Sequence, residues 1–337
     1  MSQKPLVAIT MGDAAGIGAE VIVKALSDSS IYERCNPFVI GNSEALSEAV
    51  NLASSNASVR VVDSISNLEA INGIIDVFDM NNLDFSEVKY GELSTKCGRA
   101  SVEWILKAGE MASAGKIQAI CTAPINKEAC DLAGYTDIGH MEIFQKQTNS
   151  KQVATMLMSG KLRVVHLTTH RSLRVACDYV TEKNVLDKIQ LTDEYFKKWG
   201  FEKPRIAVSA LNPHASDGGL LGDEESEQIL PAVVKAKGMG ITVNGPIPAD
   251  TIFNQNIDGH YDVCIAMYHD QGHIPIKVHD WKKSVSINLG LPFVRTSVDH
   301  GTAFDISGKG IADHISMMES IKVAVSIVSD GVLPYRS

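Results

Sequence analysis

Short, unbroken apolar runs alternate along this chain with longer amphipathic segments, and that alternation constrains the fold more than any other feature. The first runs are "LVAITM" (6–11), "PFVIG" (37–41), "VRVVD" (59–63), "IIDVFD" (74–79) and "IQAICTAP" (117–124). A later set follows: "VATMLMSG" (153–160), "LRVVHLTTH" (162–170), "RIAVSALNPH" (205–214), "GITVNGP" (240–246), "DVCIAMYH" (262–269) and "SVSINLG" (284–290). A strand with one wet face alternates apolar and polar residues, whereas a strand covered on both faces does not. Helical periodicity between the runs predicts helices over 19–28, 43–53, 92–114, 126–133, 140–148, 182–199, 224–237 and 314–329. Asp223-Glu224-Glu225 would put carboxylates at the positive end of one of them. The expected class is α/β. The 337 residues suit two domains of ordinary size. With no Pro/Gly-rich linker, these are expected to be joined through a shared sheet or by strands passing between them.

Charge and cysteine usage narrow the function. A net charge of −9 supplies no basic stripe for nucleic acid, although a few local cations still suffice for an anionic substrate. No run approaches the roughly eighteen apolar residues of a membrane span, and the N-terminal run is too short for a secretory signal. The six cysteines form no C-x-x-C pair, so reduced structural thiols in a cytoplasmic protein are expected.

Three of the later runs close on a histidine: His170, His214 and His269. Ligands bind beyond the carboxyl ends of strands in an open α/β sheet, so these histidines can converge although far apart in sequence. Three neutral imidazoles with open positions make a catalytic site for zinc or a similar divalent ion. Asp270 and Asp250 are candidates to ligate the ion, to orient an imidazole or to accept a proton; capping Asp residues in turns is the plainer alternative. His273 follows His269 by four residues, but a turn at Gly272 is expected to separate them; His260 and His279 are expected to face solvent. Lys277 and Arg295 are cations for a small anionic substrate, or else members of surface ion pairs. Near the N-terminus, Gly12, Gly16 and Gly18 lie in a strand–turn–helix segment. The spacing is neither a Rossmann fingerprint nor a P-loop, so a phosphate-meeting helix start and a tight structural turn stay equally open.

Taken together, "ITMGDAAGIGAE", "TAPINKEA", "LTTH", "LNPHASDGGLLGDEE", "GPIPADTIF", "AMYHDQGHIPIK" and "LGLPFVRTSVDHGTAFDI" resemble the 4-hydroxythreonine-4-phosphate dehydrogenase family over nearly the full length. That family is similar, distantly, to isocitrate and isopropylmalate dehydrogenases, whose glycine-loop and "HGSAPDIAGKGIA"-like segments match Gly12–Glu20 and His300–Ala312. The resemblance implies two α/β domains with an active-site cleft between them. One, cofactor-side, would be residues 1–133 plus 301–337; the other, for metal and substrate, 134–300. It also implies a homodimer whose active sites draw on both subunits. Gly12, Asp13, Gly16, Gly18, His300, Gly301 and Asp305 would meet NAD, with NADP also possible. His170, His214 and His269 would hold zinc, cobalt, manganese or magnesium. His140, Lys277 and Arg295 would hold a phosphorylated substrate, with Asp250 in an acidic active-site position.

The implied reaction is oxidation and decarboxylation of 4-phosphohydroxy-L-threonine to 3-amino-2-oxopropyl phosphate, in pyridoxal phosphate synthesis, with Lys277 or Asp250 as base. This chain departs from the family pattern at substrate contacts. Met141 replaces a threonine, and Ser286 an asparagine, though Asn288 could share its face. Ala14 and Ala19 replace prolines of the glycine loop. "YHDQGHIP" is similar to a sister group that oxidises 4-phospho-D-threonate and 4-phospho-D-erythronate to dihydroxyacetone phosphate. A metal-dependent hydrolase or aldolase without nucleotide, and a non-catalytic binding protein, are the competing classes.

Overall fold

The computed structural model describes residues 4–137 and 139–336. Its first stretch runs β1 (Leu6–Thr10), α1 (Gly18–Leu26), α2 (Ser29–Arg34), β2 (Asn36–Gly41), α3 (Ser43–Leu52), β3 (Ser58–Val62), β4 (Ile74–Asp79), α4 (Thr95–Ser113), β5 (Ala119–Thr122), α5 (Lys127–Leu132) and α6 (His140–Thr148). There follow β6 (Ala154–Ser159), β7 (Leu162–His166), α7 (Leu173–Asp178), α8 (Glu182–Lys198), β8 (Ile206–Ser209), α9 (Leu230–Gly238), β9 (Val243–Ile247), α10 (Ala249–Ile257), β10 (Val263–Ala266), α11 (His269–Asp280) and β11 (Val285–Leu289). β12 (Val294–Val298) and α12 (Ile315–Val325) complete the chain. The class is α/β, as the apolar runs require. Side chains explain many of the helix starts: Ser94, Asn42 and Thr181 accept hydrogen bonds from backbone N–H groups of the first turns of α4, α3 and α8.

The chain divides into two compact units. The first joins the residues up to Lys151 with Leu291–Asp330. Its strands lie in the order β3-β4-β2-β1-β5-β12 and every pairing is parallel. β1, β2 and β5 are almost wholly buried, which is why they read as unbroken apolar runs. Trp104 of α4 is fully buried, and its indole N–H donates to Asn82 Oδ1 at 3.0 Å. Truncating such a side chain typically costs about 3–5 kcal/mol.

The second unit joins Gln152–Gly290 with the residues from Gly331 on. Its strand order is β11-β6-β7-β10-β8-β9. β6 runs antiparallel to both β11 and β7, while β7, β10, β8 and β9 are parallel. Buried Arg163 fastens the C-terminal segment here, donating to the carbonyls of Pro334 (2.9 Å) and Tyr335 (2.6 Å).

The division at 151/152 and 290/291 differs from the expected 133/134 and 300/301. α6 and β12 belong with the first unit because Phe144 of α6 packs edge-on against Phe293 at 5.4 Å and β12 pairs with β5, Arg295 opposite Ile120. β12, α2, α7, α10 and α11 were not expected from the sequence. The most consequential of these is α11, a helix where a turn was expected.

Candidate active site

β7, β10 and β8 are neighbours with β10 in the middle, and all three are parallel. Their carboxyl ends therefore open on one edge, where the chain runs on to His170, His269 and His214 respectively. None of the three histidines is in a strand, contrary to the sequence expectation. β7 already ends at His166, β10 at Ala266 and β8 at Ser209. The apolar runs continue past the last ladder hydrogen bond, so hydropathy alone overextends each strand.

His269 is the first residue of α11. Its Nδ1 lies 2.6 Å from Asp270 Oδ1. With Nδ1–H donating to the carboxylate, Nε2 carries the lone pair that a ligand would use. The His170 ring stands 6.0 Å away, centroid to centroid, tilted by 41°. Thr169, His170, Arg171, Tyr268, His269 and Asp270 line a common cavity of about 380 Å³. Gln271, unremarkable in the sequence, ties two strand exits together: its Oε1 accepts from Met267 N–H at 2.7 Å and its Nε2 donates to Ala210 C=O at 2.8 Å.

His214 opens a strained turn. His214, Ala215, Ser216 and Asp217 all have left-handed φ, from 49° to 67°, a region that costs a non-glycine residue roughly 1–2 kcal/mol. Buried Glu225 holds the approach to this turn. It accepts from the Leu211 and Asn212 amides at 2.8 and 2.7 Å, from Asn212 Nδ2 at 2.9 Å, and from the Ser216 hydroxyl. Burial pushes the Glu225 carboxyl up, but those hydrogen bonds outweigh it and leave the pKa below the ordinary value. His214 is not among the residues lining the cavity of His170 and His269. Among the described residues no group of three or more His, Cys, Asp or Glu side chains is gathered closely enough to hold an ion.

The remaining candidates of this unit are spread out. Ser286 and Asn288 sit two apart on β11, opposite Leu157 and Thr155, so they share a face. Lys277 is half-buried on α11, and Asp250 is exposed in the first turn of α10.

The first unit has its own carboxyl edge, formed by the neighbouring strands β1, β5 and β12. The glycine loop leaves β1 here, and the backbone stitches it to the other segments: Asp13 N–H to Pro124 C=O at 2.9 Å, and Ile17 N–H to Thr302 C=O at 3.1 Å. The expected pairing of the glycine loop with the His300–Asp305 segment is thus a direct contact. A Cβ on Gly12 (φ +74°) would lie 2.3 Å from Pro124 O, and one on Gly18 would lie 2.1 Å from Met11 O. Asp13 is fully buried, with Oδ1 accepting from Ala15 N–H at 2.8 Å and no hydrogen bond to Oδ2. Burial pushes its carboxyl up to about 6.

His140 begins α6, followed by Met141. Burial, then the Arg295 and Lys127 charges, hold the His140 imidazole well below its ordinary pKa, so it is neutral. Arg295 is 4 % exposed, and burial pulls its pKa down to about 9; it donates to the Thr122 hydroxyl, which donates in turn to Ser297 Oγ at 2.9 Å. A desolvated guanidinium beside a neutral imidazole suits an anion. All six cysteines are free thiols. Among the described residues no helix is long and apolar enough to cross a membrane.

Comparison with known proteins gives a consistent result. Residues 33–324 match the family described as "Pyridoxal phosphate biosynthetic protein PdxA". A protein of Oceanobacillus iheyensis named "Putative D-threonate 4-phosphate dehydrogenase" is 44% identical, covering 97% of this chain and 99% of that one. One of the same name from Clostridium botulinum is 41% identical over 96% of this chain and 97% of its own. The solved 4-hydroxythreonine-4-phosphate dehydrogenase of Klebsiella pneumoniae superposes with a TM-score of 0.88 at 39% identity, over 97% of this chain and 100% of that chain.

Proposed function

Because the chain belongs to the PdxA family of pyridoxal phosphate biosynthetic proteins, we propose that it is a NAD-dependent dehydrogenase with D-threonate 4-phosphate as substrate. It is an oxidoreductase acting on the CH–OH group of a small phosphorylated hydroxy acid. The observation that carries the reading is the His170/His269 pair on a parallel-strand edge, with Asp270 fixing the His269 tautomer. The two imidazoles in one cavity are donors of the kind a zinc-class ion takes, and His214, which lies outside that cavity, is the proposed third. Such an ion, bound by His170, His269 and His214, would lower the pKa of the substrate hydroxyl and fix its position.

The chain's own groups then have distinct tasks. Arg295 and neutral His140 would take the phosphate. Its binding energy from a remote group orients the reacting carbon. Lys277 or Asp250 would accept the hydroxyl proton as the C3 hydrogen leaves as hydride to the nicotinamide. The glycine loop with His300, Gly301 and Asp305 would hold the dinucleotide. The resulting 3-oxo acid loses its carboxyl group as carbon dioxide, and a proton replaces it, giving dihydroxyacetone phosphate. Met141 and Ser286 stand where the family holds a different substrate with threonine and asparagine. A substrate with a hydroxyl in place of the amino group fits that change. The second reading is 4-phosphohydroxy-L-threonine, supported by the names of the solved relatives at 42% and 39% identity.

We place the enzyme in the cytoplasm on the strength of its unpaired cysteines, and as a homodimer. On α11 and the residue that caps its C-terminus, Ile274, Val278 and Trp281 form an apolar stripe at helical spacing, 59%, 82% and 61% exposed. Such a stripe on the helix that carries His269 and Lys277 suits cover by a second copy close to the active site. Val278→Asp should shift sedimentation from dimer to monomer; an unchanged dimer would place the interface elsewhere.

The deciding assay follows NAD and NADP reduction by metal-supplemented protein. D-threonate 4-phosphate, D-erythronate 4-phosphate and 4-phosphohydroxy-L-threonine are run side by side. Turnover of the sugar acids alone is the expected result. Turnover of only the amino acid would move the enzyme into vitamin B6 synthesis, and metal-dependent turnover without nucleotide would make it a hydrolase or aldolase.

A further inference from the structure

Three imidazoles, His269 and His273 of α11 and His166 of β7, meet ring to ring in series, and two of them, His166 and His273, have no part in the reaction just described. His273 lies one helical turn beyond His269. The two rings face each other with centroids 3.6 Å apart and planes only 11° from parallel. His273 Nδ1 is 3.0 Å from the His269 carbonyl oxygen, so its N–H donates back along the helix and anchors the ring. The His166 ring in turn meets His273 at 4.6 Å, inclined by 52°.

His166 is 1% exposed, and its Nε2 has no hydrogen-bond partner. Burial, then the neighbouring His273, pulls its pKa to about 3, so it is a neutral ring in the interior. It occupies the space a side chain at 272 would need: a Cβ on Gly272 would lie 2.3 Å from His166 Nε2. A leucine or phenylalanine at 166 would fill an apolar site without leaving a buried nitrogen unsatisfied. Stability alone does not account for three imidazoles in contact.

Resting on the reading that His269 binds a divalent ion, we infer that His273, backed by His166, is a positioning residue for His269. Rotation about Cβ–Cγ of histidine is soft. The in-plane bond to Asp270 restrains it, but that carboxylate is 70% exposed and competes with water. A flat ring on the His269 face adds a restraint that water does not weaken, and keeps Nε2 in one direction. Partners beyond the ligands themselves typically change metal affinity by about 10–100-fold.

The test uses full-length protein stripped of metal, titrated with cobalt(II) and followed by its visible absorption, with the melting temperature of the metal-free protein as a folding control. His273→Leu should weaken cobalt binding at least about tenfold while the metal-free protein melts as the unaltered one does. His273→Phe should restore most of that affinity, because phenylalanine keeps a flat face but offers no ligating nitrogen. Cobalt binding as tight in His273→Leu as in the unaltered protein would overturn the inference. So would equal losses in the Leu and Phe variants, which would make His273 a ligand itself. His269→Ala separates the two layers: its loss of cobalt binding beside an unaffected His273→Leu removes only the positioning role. Undiminished binding in His269→Ala removes the ligand reading and this inference with it.

Discussion

The loop that leaves β1 and the loops that leave β7, β8 and β10 occupy equivalent places, at the carboxyl ends of parallel strands, and differ in what holds them there. In the first unit, the unusual glycines have packing reasons. Gly12 and Gly18 permit backbone approaches that any Cβ would block, and amide hydrogen bonds to Pro124 and Thr302 fix the loop. In the second unit, the unusual features work against the fold. Four consecutive non-glycine residues from His214 on are left-handed, a run that the described residues of the first unit do not have. A feature that packing explains says little about ligands, whereas one that costs stability without a packing return points to function. The glycine loop is the more recognisable motif, but the histidine edge is the better guide to chemistry.

The sharpest way to break this comparison is to remove a histidine and a glycine in parallel. His214→Ala and His269→Ala should each lower NAD reduction by about a thousandfold or more, with the melting temperature of the metal-free protein nearly unchanged. Gly18→Ala should do the reverse. Its Cβ would meet the Met11 carbonyl at 2.1 Å, and a clash with backbone should cost about 3 kcal/mol in a urea titration. Turnover per folded molecule should fall little. If Gly18→Ala stays stable yet loses activity, the loop is a ligand site first and a packing device second.

A smaller effect is expected at Glu225, which belongs to the histidine edge without touching the proposed chemistry. Glu225→Gln removes the charge that four donors converge on, and should cost about 1–2 kcal/mol of stability. It should also weaken metal binding through the His214 turn, by roughly tenfold. The Glu225 carboxyl has its pKa lowered in the fold, so its contribution is present above the unfolded value and is lost as pH falls. The gap between the two proteins should therefore close in acid. A gap that stays constant with pH would show that the carboxylate charge is not what holds the turn.

The legible and illegible parts of the sequence follow the same division. Unbroken apolar runs gave β1, β2, β4 and β6 nearly to the residue, because burial on both faces leaves no other pattern. β12 escaped because "VRTSV" carries Arg295 into the interior, where its polar partner Thr122 is invisible to hydropathy. α11 was hidden by Gly272 and Pro275, residues that usually break helices; here the glycine makes room for His166. That misreading separated His269 from His273, which the helix stacks together. The three candidate ligands could be named from strand ends and resemblance. The roles of Gln271 and Glu225 depend on contacts across the sheet edge that no local pattern encodes.

The finest test concerns Asp13, a site residue in the resemblance and a packed residue in the structure. Its carboxyl is fully buried and pushed up to about 6, chiefly by desolvation and against the bond from Ala15 N–H. A carboxyl whose pKa is raised on folding favours the folded state fully only below its unfolded pKa, and that advantage is lost as pH rises through the folded value. Asp13→Asn removes the charge and keeps an oxygen for Ala15, although its amide N–H₂ has no evident acceptor. At pH 8 the variant should therefore be more stable than the unaltered protein by about 1 kcal/mol, less than the roughly 3 kcal/mol that a two-unit shift alone implies. Below about pH 4 the gain should vanish or reverse, as read from urea midpoints. If Asp13→Asn gains stability at pH 8 but no longer binds NAD, then Asp13 is kept at the fold's expense. It would then belong with the histidines, and the division between the two edges would hold for the glycines alone.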